Sequence, residues 1–241
     1  MWFKNALLYR LTGPIEGLEH IEARLAQTPY VPCGSQDMQR IGWTPAMPES
    51  EELSHQANGY VLVCLRKQQK ILPGAAVAEA LDERIRKIET EQGRKVYRKE
   101  RKELKEEVTI DLLPRALTRS SRAYAFIDTQ RNLIVVDSSS RTRAEELLTQ
   151  LRKDLGSLPL EPLETRNQPT ALMTDWLNNN SLPAGFALGQ QCELRDARES
   201  SNVVRVRGQD LRSDEVLQHI EVGKQVTRLE LHWNEAVDCV L

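Results

Sequence analysis

The sequence has few of the groups on which recognisable chemistry is built. Its four cysteines, at positions 33, 64, 192 and 239, form no C-x-x-C and have no histidine at ligand spacing, which excludes a zinc site and a dithiol redox motif. G-x-S-x-G, H-E-x-x-H, a P-loop and G-x-G-x-x-G are all absent, so the hydrolase, zincin and nucleotide-binding machineries they anchor have no foothold. The longest apolar run, Tyr60 to Leu65, is strand-sized and far short of a bilayer-spanning helix. Lys4 and Arg10 interrupt the only apolar stretch at the N-terminus, which therefore lacks the core of a signal peptide; a cytoplasmic protein with no membrane partner is expected. Aromatics number twelve and are spread thinly, so a stacking platform for single-stranded nucleic acid is not expected. Neither sign of charge dominates: 33 Lys and Arg against 35 Asp and Glu leave −2, which excludes a uniformly basic nucleic-acid coat.

What is present is an α+β pattern. Residues 2 to 11 alternate with the period of a half-buried strand, with Phe3, Leu7, Tyr9 and Leu11 on one side. Ile15, Leu18, Ile21 and Leu25 follow Pro14 at helical spacing and predict a short amphipathic helix. A polar loop leads to Asn58-Gly59 and an apolar strand from Tyr60 to Arg66. Val77, Leu81, Ile85 and Ile88, then Leu104, Val108 and Leu112, predict two helices broken between Gly93 and Lys102, each reaching roughly 30 Å. Ala123 to Asp128 and Leu133 to Asp137 read as a hairpin, Arg143 to Asp154 as a helix stopped at Gly156, and Leu158 to Pro162 as a linker. Beyond it lie a helix near Ala171 to Leu177, a strand from Asn202 to Arg207 and a helix from Ser213 to Gly223. A closing strand from Gln225 to Trp233 has Thr227, Leu229, Leu231 and Trp233 on one face. The expected architecture is a central α+β domain of residues 1–74 and 123–160, an inserted helical finger (tip) of residues 75–122, and a second, smaller α+β domain (base) of residues 161–241. The base is expected to be incomplete, because Ala236 to Leu241 reads as a strand cut off in mid-sheet.

The histidines at 20, 55, 219 and 232 fall where structural or solvated roles are ordinary, and a Cys33/His55 dyad would lack a third, orienting group. Asp37, Glu51, Glu52 and Asp128 are the carboxylates open to a metal nuclease, but their spacing matches no nuclease pattern. The basic residues carry more. From Arg94 to Lys105 there are seven (Arg94, Lys95, Arg98, Lys99, Arg101, Lys102, Lys105) against Glu100 and Glu103, a local excess of 7 − 2 = +5. Arg115, Arg119 and Arg122 would share one face if the helix reforms after Pro114. In Val203-Val204-Arg205-Val206-Arg207 the alternation sets both arginines opposite the valines, a basic stripe for a phosphate backbone, with Lys224 and Arg228 as additions. A lone charge run is most often a solvated helical surface with internal pairs such as Glu91 with Lys95. If the charges do meet nucleic acid, duplex phosphates fit best, without sequence preference, since no recognition helix or finger motif is present.

Cys33-Gly34-Ser35-Gln36-Asp37, followed by Gly42-Trp43, closely resembles the bacterial RdgC family of recombination-associated proteins. Trp2-Phe3-Lys4-Asn5, Ala57-Asn58-Gly59, Lys70-Ile71-Leu72-Pro73, Leu112-Leu113-Pro114-Arg115-Ala116, Leu155-Gly156-Ser157-Leu158-Pro159 and His219-Ile220-Glu221 with Gly223-Lys224 extend the likeness along the chain. The resemblance implies a non-enzymatic, nucleoid-associated protein, needing no cofactor, that binds double-stranded DNA regardless of sequence. It further implies a ring-shaped homodimer with a positively lined hole that restrains RecA-driven recombination. Arg115 falls at the finger's return, and Gln209-Asp210 falls after the family's basic pair, here Arg207 and Gly208, so one charge is missing; Leu117 stands where some members carry Phe. Residues expected at DNA are Arg94, Lys95, Arg98, Lys99, Arg115, Arg119, Arg205, Arg207 and Gln209. The family's chains continue past position 241, and an exonuclease label it has carried makes a Mg²⁺-dependent exonuclease the alternative. Cys33 to Trp43 itself reads as a tightly turned loop packed by Trp43.

Overall fold

In the computed structural model, which describes residues 3–199, 201–234 and 236–241, the N-terminal alternation is a strand only over Leu7–Leu11 (β1); Trp2 lies outside the described residues. Gly17, left-handed at φ 75°, interrupts the apolar stripe after Pro14. The helix is therefore confined to Ile21–Leu25 (α1), behind a 3-10 turn at Leu18–His20, and both end residues are fully buried. The stretch expected as polar loop contains two strands, Gln39–Thr44 (β2) and Ser54–Ala57 (β3). Neither alternates cleanly in sequence. Both form because the long strand Tyr60–Ile71 (β4) offers them an edge, β3 along its first half and β2 along its second.

Gly74–Gln92 (α2) and Arg98–Leu112 (α3) are the two charged helices, turned at Gly93 (φ 62°) and held by a small cluster of Leu81, Ile85 and Leu104 with Ile88 and Val96. The helix does not reform after Pro114. A 3-10 turn at Leu113–Arg115 leads directly into Leu117–Asp128 (β5), which pairs antiparallel with β4 over all twelve residues. The local sequence Leu-Thr-Arg-Ser-Ser-Arg is poor in strong helix formers, and the partner strand decides its conformation. Leu133–Asp137 (β6), Arg141–Leu155 (α4), stopped at Gly156, and Leu160–Pro162 (β7) complete a first compact unit of residues 1–163.

The sheet order is β2-β4-β5-β6-β1-β7, with β3 also beside β4. One face, carrying Val61, Val63, Leu65, Ala125 and Ile127, is packed against Ile21, Leu25, Leu147 and Leu151 of α1 and α4. Arg66, Gln68 and Arg122 lie on the other face, away from the layer of α1 and α4. The buried Asp154 on α4 ties this layer together, its Oδ2 accepting from Trp43 Nε1 (2.6 Å), Thr28 Oγ1 (2.9 Å) and Gln150 Nε2 (2.9 Å). Trp43 thus belongs to a strand clamped onto a helix, and is not the packing residue of a loop.

The second unit, residues 164–241, contains Pro169–Asn179 (α5), Phe186–Asp196 (β8), Val203–Arg207 (β9), Asp214–Glu221 (α6), Lys224–Trp233 (β10) and Val237–Val240 (β11). Its antiparallel sheet runs β11-β10-β8-β9. The sequence did not reveal β8, because Gly189, Gln190 and Gln191 dilute its apolar alternation; Gly189 is needed there, since a Cβ would fall 2.4 Å from Glu230 Cγ. A register shift in β10 between Val226 and Arg228 leaves Val226 and Leu229 both buried and takes Thr227 off the face expected for it. Leu177, Leu194, Leu211 and Leu229 center the core, again on one side of the sheet. Both units are α+β. No described helix is long and apolar enough to cross a membrane.

Candidate nucleic-acid interface

The basic residues fall into three sets once the fold is known. The first is the turn between α2 and α3. Arg94 is braced there: its Nη1 and Nη2 reach both carboxylate oxygens of Glu100 (2.7 and 2.5 Å), and its Nε reaches Gln92 Oε1 (2.7 Å). The guanidinium holds the Glu100 carboxyl below the usual carboxylate range, so this charge is spent inside the turn. Lys95, Arg98 and Lys99 are exposed around Tyr97, which is 76% exposed. Arg101 is partly neutralised by Asp82 at 2.9 Å.

The second set lies on the first sheet, and here the expected grouping breaks. Arg115 is exposed in the 3-10 turn, whereas Arg119 and Arg122 belong to β5, where a spacing of three sends them to opposite faces. Arg119 is on the side of α4, in a recess of about 390 Å³ with Lys67, Arg143 and Glu146, and Lys67 is paired to Glu146 at 2.6 Å. Arg122 is on the open face, with Arg66 as its direct cross-strand partner and Gln68 opposite Ser120. Arg40 and Lys70 share this face, Arg40 bound to Asp37 at 2.7 Å. Among the described residues, Arg66, Lys70 and Arg122 have no carboxylate within 4.0 Å. Arg40, Arg66 and Lys70 escaped sequence reading; the period-2 pattern Arg66-Lys67-Gln68-Gln69-Lys70 was the available signal, visible only if the strand is run past Arg66.

The third set is the open face of the second sheet. Arg205 and Arg207 project opposite the buried Val206, beside Gln191, Glu193 and Arg228 around a small recess of about 80 Å³. Glu193 sits among them and accepts from Arg195 Nε (2.8 Å), Arg205 Nε (2.9 Å) and Thr227 Oγ1 (3.2 Å). The two arginines, Arg205 foremost, pull its pKa down to about 2. Gln209 is exposed just past β9, after Gly208 at φ 72°. Lys224 is not part of the stripe: it is buried, with Nζ donating to Asn202 Oδ1 at 2.7 Å.

The groups considered for catalysis are dispersed. His55 faces Leu62 on β4, while the Cys33 N–H donates to Gln68 Oε1 at 2.7 Å, six residues further along that strand, or about 20 Å away. A Cys33/His55 dyad is therefore ruled out by register. Asp37 is engaged by Arg40 and the Gly34 N–H, and Asp128 accepts from the Gln130 and Arg131 N–H groups and from the Arg131 side chain. These local partners hold both carboxyls below their usual range, the Arg40 side chain leading for Asp37 and the Arg131 N–H for Asp128. Among the described residues no three His, Cys, Asp or Glu side chains converge as metal ligands would.

Comparison with known proteins agrees with the motif blocks. The family model described as "Putative exonuclease, RdgC" matches residues 1–241. The recombination-associated protein RdgC of Aeromonas hydrophila is 44% identical over 243 aligned residues, covering 100% of this chain and 80% of the relative. Those of Psychromonas ingrahamii and Salmonella typhimurium are 42% and 44% identical with the same coverage. Matched along its whole length by the family model and by these relatives, the chain belongs to the RdgC family of recombination-associated proteins.

Proposed function

We propose that this protein binds double-stranded DNA through its phosphates, without reading sequence, and performs no chemistry on it. The carrying observation is that both open sheet faces present cations on strands, half-buried Arg66 and Lys70 with exposed Arg122 on one and exposed Arg205, Arg207 and Arg228 on the other. Side chains on such faces can follow a backbone, while specific base readout usually requires an element placed in a groove. Lys95, Arg98, Lys99 and Arg115 extend the phosphate contacts, with Arg94 bracing the turn that carries three of them and Gln209 donating at the edge of the second set, whereas Arg119, on the α4 side of the first sheet, faces away from Arg66 and Arg122. The DNA-binding unit is a homodimer that closes into a ring and, in the nucleoid, restrains RecA-driven recombination. Ring closure by a two-fold dimer needs two contact patches per subunit. One is assigned to the α2–α3 pair, where Met38, Ile110 and Leu113 line a groove, and one to the second unit.

A Mg²⁺-dependent exonuclease is the second possibility, carried by the family model's description. A salt-titrated binding assay on short linear duplex, single strand and closed circular duplex, run with and without Mg²⁺, separates the alternatives. The expected result is intact DNA, the logarithm of duplex affinity falling linearly with the logarithm of salt, and greater salt resistance on closed circles, from which a ring cannot slide. Loss of ends that disappears on Asp37→Ala would establish the nuclease. Equal salt resistance on both duplexes would refute encirclement, and no affinity at low salt would refute DNA binding.

A further inference from the structure

Arg66 on β4 and Arg122 on β5 stand directly opposite each other on the open face of the first sheet. Side chains so paired leave the same face with Cβ atoms about 5 Å apart, where like charges repel. The protein meets the same problem differently in its second sheet, where Arg195 and Arg205 converge on the buried carboxylate of Glu193. No described carboxylate serves Arg66 and Arg122.

The surroundings are arranged for an acceptor. The Arg66 guanidinium lies over the Tyr30 ring, its carbon 4.2 Å from the centroid, which fixes the plane and leaves the N–H edge to bond elsewhere. Its Nε is sealed from solvent with no hydrogen-bond partner, as is the Tyr30 hydroxyl. Its Nη2 reaches only Ser120 Oγ, at a long 3.4 Å. Gln68 is held with its oxygen occupied by the Cys33 N–H, so its amide nitrogen points to Ser120 and Thr118, each at 3.4 Å. The Arg66 guanidinium, the Gln68 amide N–H₂ and the hydroxyls of Ser120 and Thr118 thus cluster on the sheet, and Arg122, opposite Arg66 and beside Tyr124, adds a second guanidinium to the same face. What is missing is a negatively charged acceptor, and guanidinium forks match the geometry of phosphate oxygens.

We propose that Arg66 and Arg122 form a clamp for a single phosphate group, with Ser120 and Gln68 as the neighbouring polar pair on the same face. Its natural occupant as a backbone phosphodiester rests on the DNA-binding function proposed above, whereas the anion chemistry does not. A free phosphoryl anion would use the same donors, and the two sources are separable.

The test is thermal unfolding of the full chain in phosphate-free buffer, with inorganic phosphate added at constant ionic strength, for wild type and Arg122→Gln. Arg122 is exposed, so the variant can fold. Without phosphate, Arg122→Gln is expected to melt higher than wild type, because the repulsion is gone. Phosphate is expected to raise the wild-type midpoint saturably by linkage and to leave the variant unmoved. An unmoved wild type, or an equal rise in both proteins, overturns the clamp. Duplex titration then identifies the occupant. If the backbone fills it, Arg122→Gln weakens duplex binding about eightfold near 0.1 M salt, the equivalent of one phosphate contact. A phosphate shift lost in the variant, with no duplex binding by wild type, supports the clamp with a free phosphoryl occupant and defeats the DNA proposal. Equal duplex binding by both proteins with no phosphate shift defeats the clamp and spares the DNA proposal.

Discussion

Replacing Glu193 with Gln should tighten DNA binding, although most substitutions in a binding face weaken it. Glu193 is 7% exposed and neutralises Arg195 and Arg205 from within the open face of the second sheet. With its pKa near 2, it is an anion at every pH at which duplex DNA is stable. Gln keeps the shape and one acceptor oxygen for Thr227 or an arginine while removing the charge. The face then changes from Arg195, Arg205, Arg207 and Arg228 against Glu193, Glu230 and Asp238, 4 − 3 = +1, to 4 − 2 = +2. If the released charge neutralises one more phosphate, the log–log salt slope steepens by about 0.9. Extrapolated from about 1 M salt, where the electrostatic term is small, that corresponds to an affinity about eightfold higher near 0.1 M. Fluorescence anisotropy on a short labelled duplex across a salt series reads both quantities, with circular dichroism confirming the fold. Unchanged or weaker binding by a folded variant would refute the placement of this face against DNA.

The same carboxylate makes stability pH-dependent in a defined direction. Its folded pKa lies below its ordinary value of 4.5, so its contribution is complete above about 4.5 and is lost as pH falls through about 2; urea unfolding of Glu193→Gln should show a shallower acid decline than wild type. Trp43→Phe removes the N–H donated to the buried Asp154 and leaves that carboxylate with two donors, which should lower the urea midpoint at unchanged slope by the equivalent of about 1–3 kcal/mol. Cys64 and Cys192, whose thiols burial pushes up to about 11, should resist a thiol reagent at mildly alkaline pH in the native protein and react once it is denatured.

Elements that carry their own signal were legible before the structure. The α2 stripe of Val77, Leu81 and Ile85, the Gly156 stop of α4 and the alternation of Arg205 and Arg207 around Val206 are all local patterns, and each is where its spacing put it. The blocks from Cys33 to Lys224 likewise identified the family, since motif order is a property of the chain alone.

Pairing, by contrast, is a property of two segments. Nothing in Gln39–Thr44, Ser54–Ala57 or Leu117–Arg122 marks a strand until the edges of β4 are available to them, because a strand's hydrogen bonds lie outside itself while a helix satisfies its own. The candidate site followed from that. Helical spacing would have joined Arg115, Arg119 and Arg122 on one face; the two-residue period of β5 separates Arg119 from Arg122 and sets Arg122 against Arg66, more than fifty residues earlier. Charge content and family were therefore settled by sequence, whereas which charges meet, and which of them the protein neutralises with its own carboxylates, was decided by the register of the sheets.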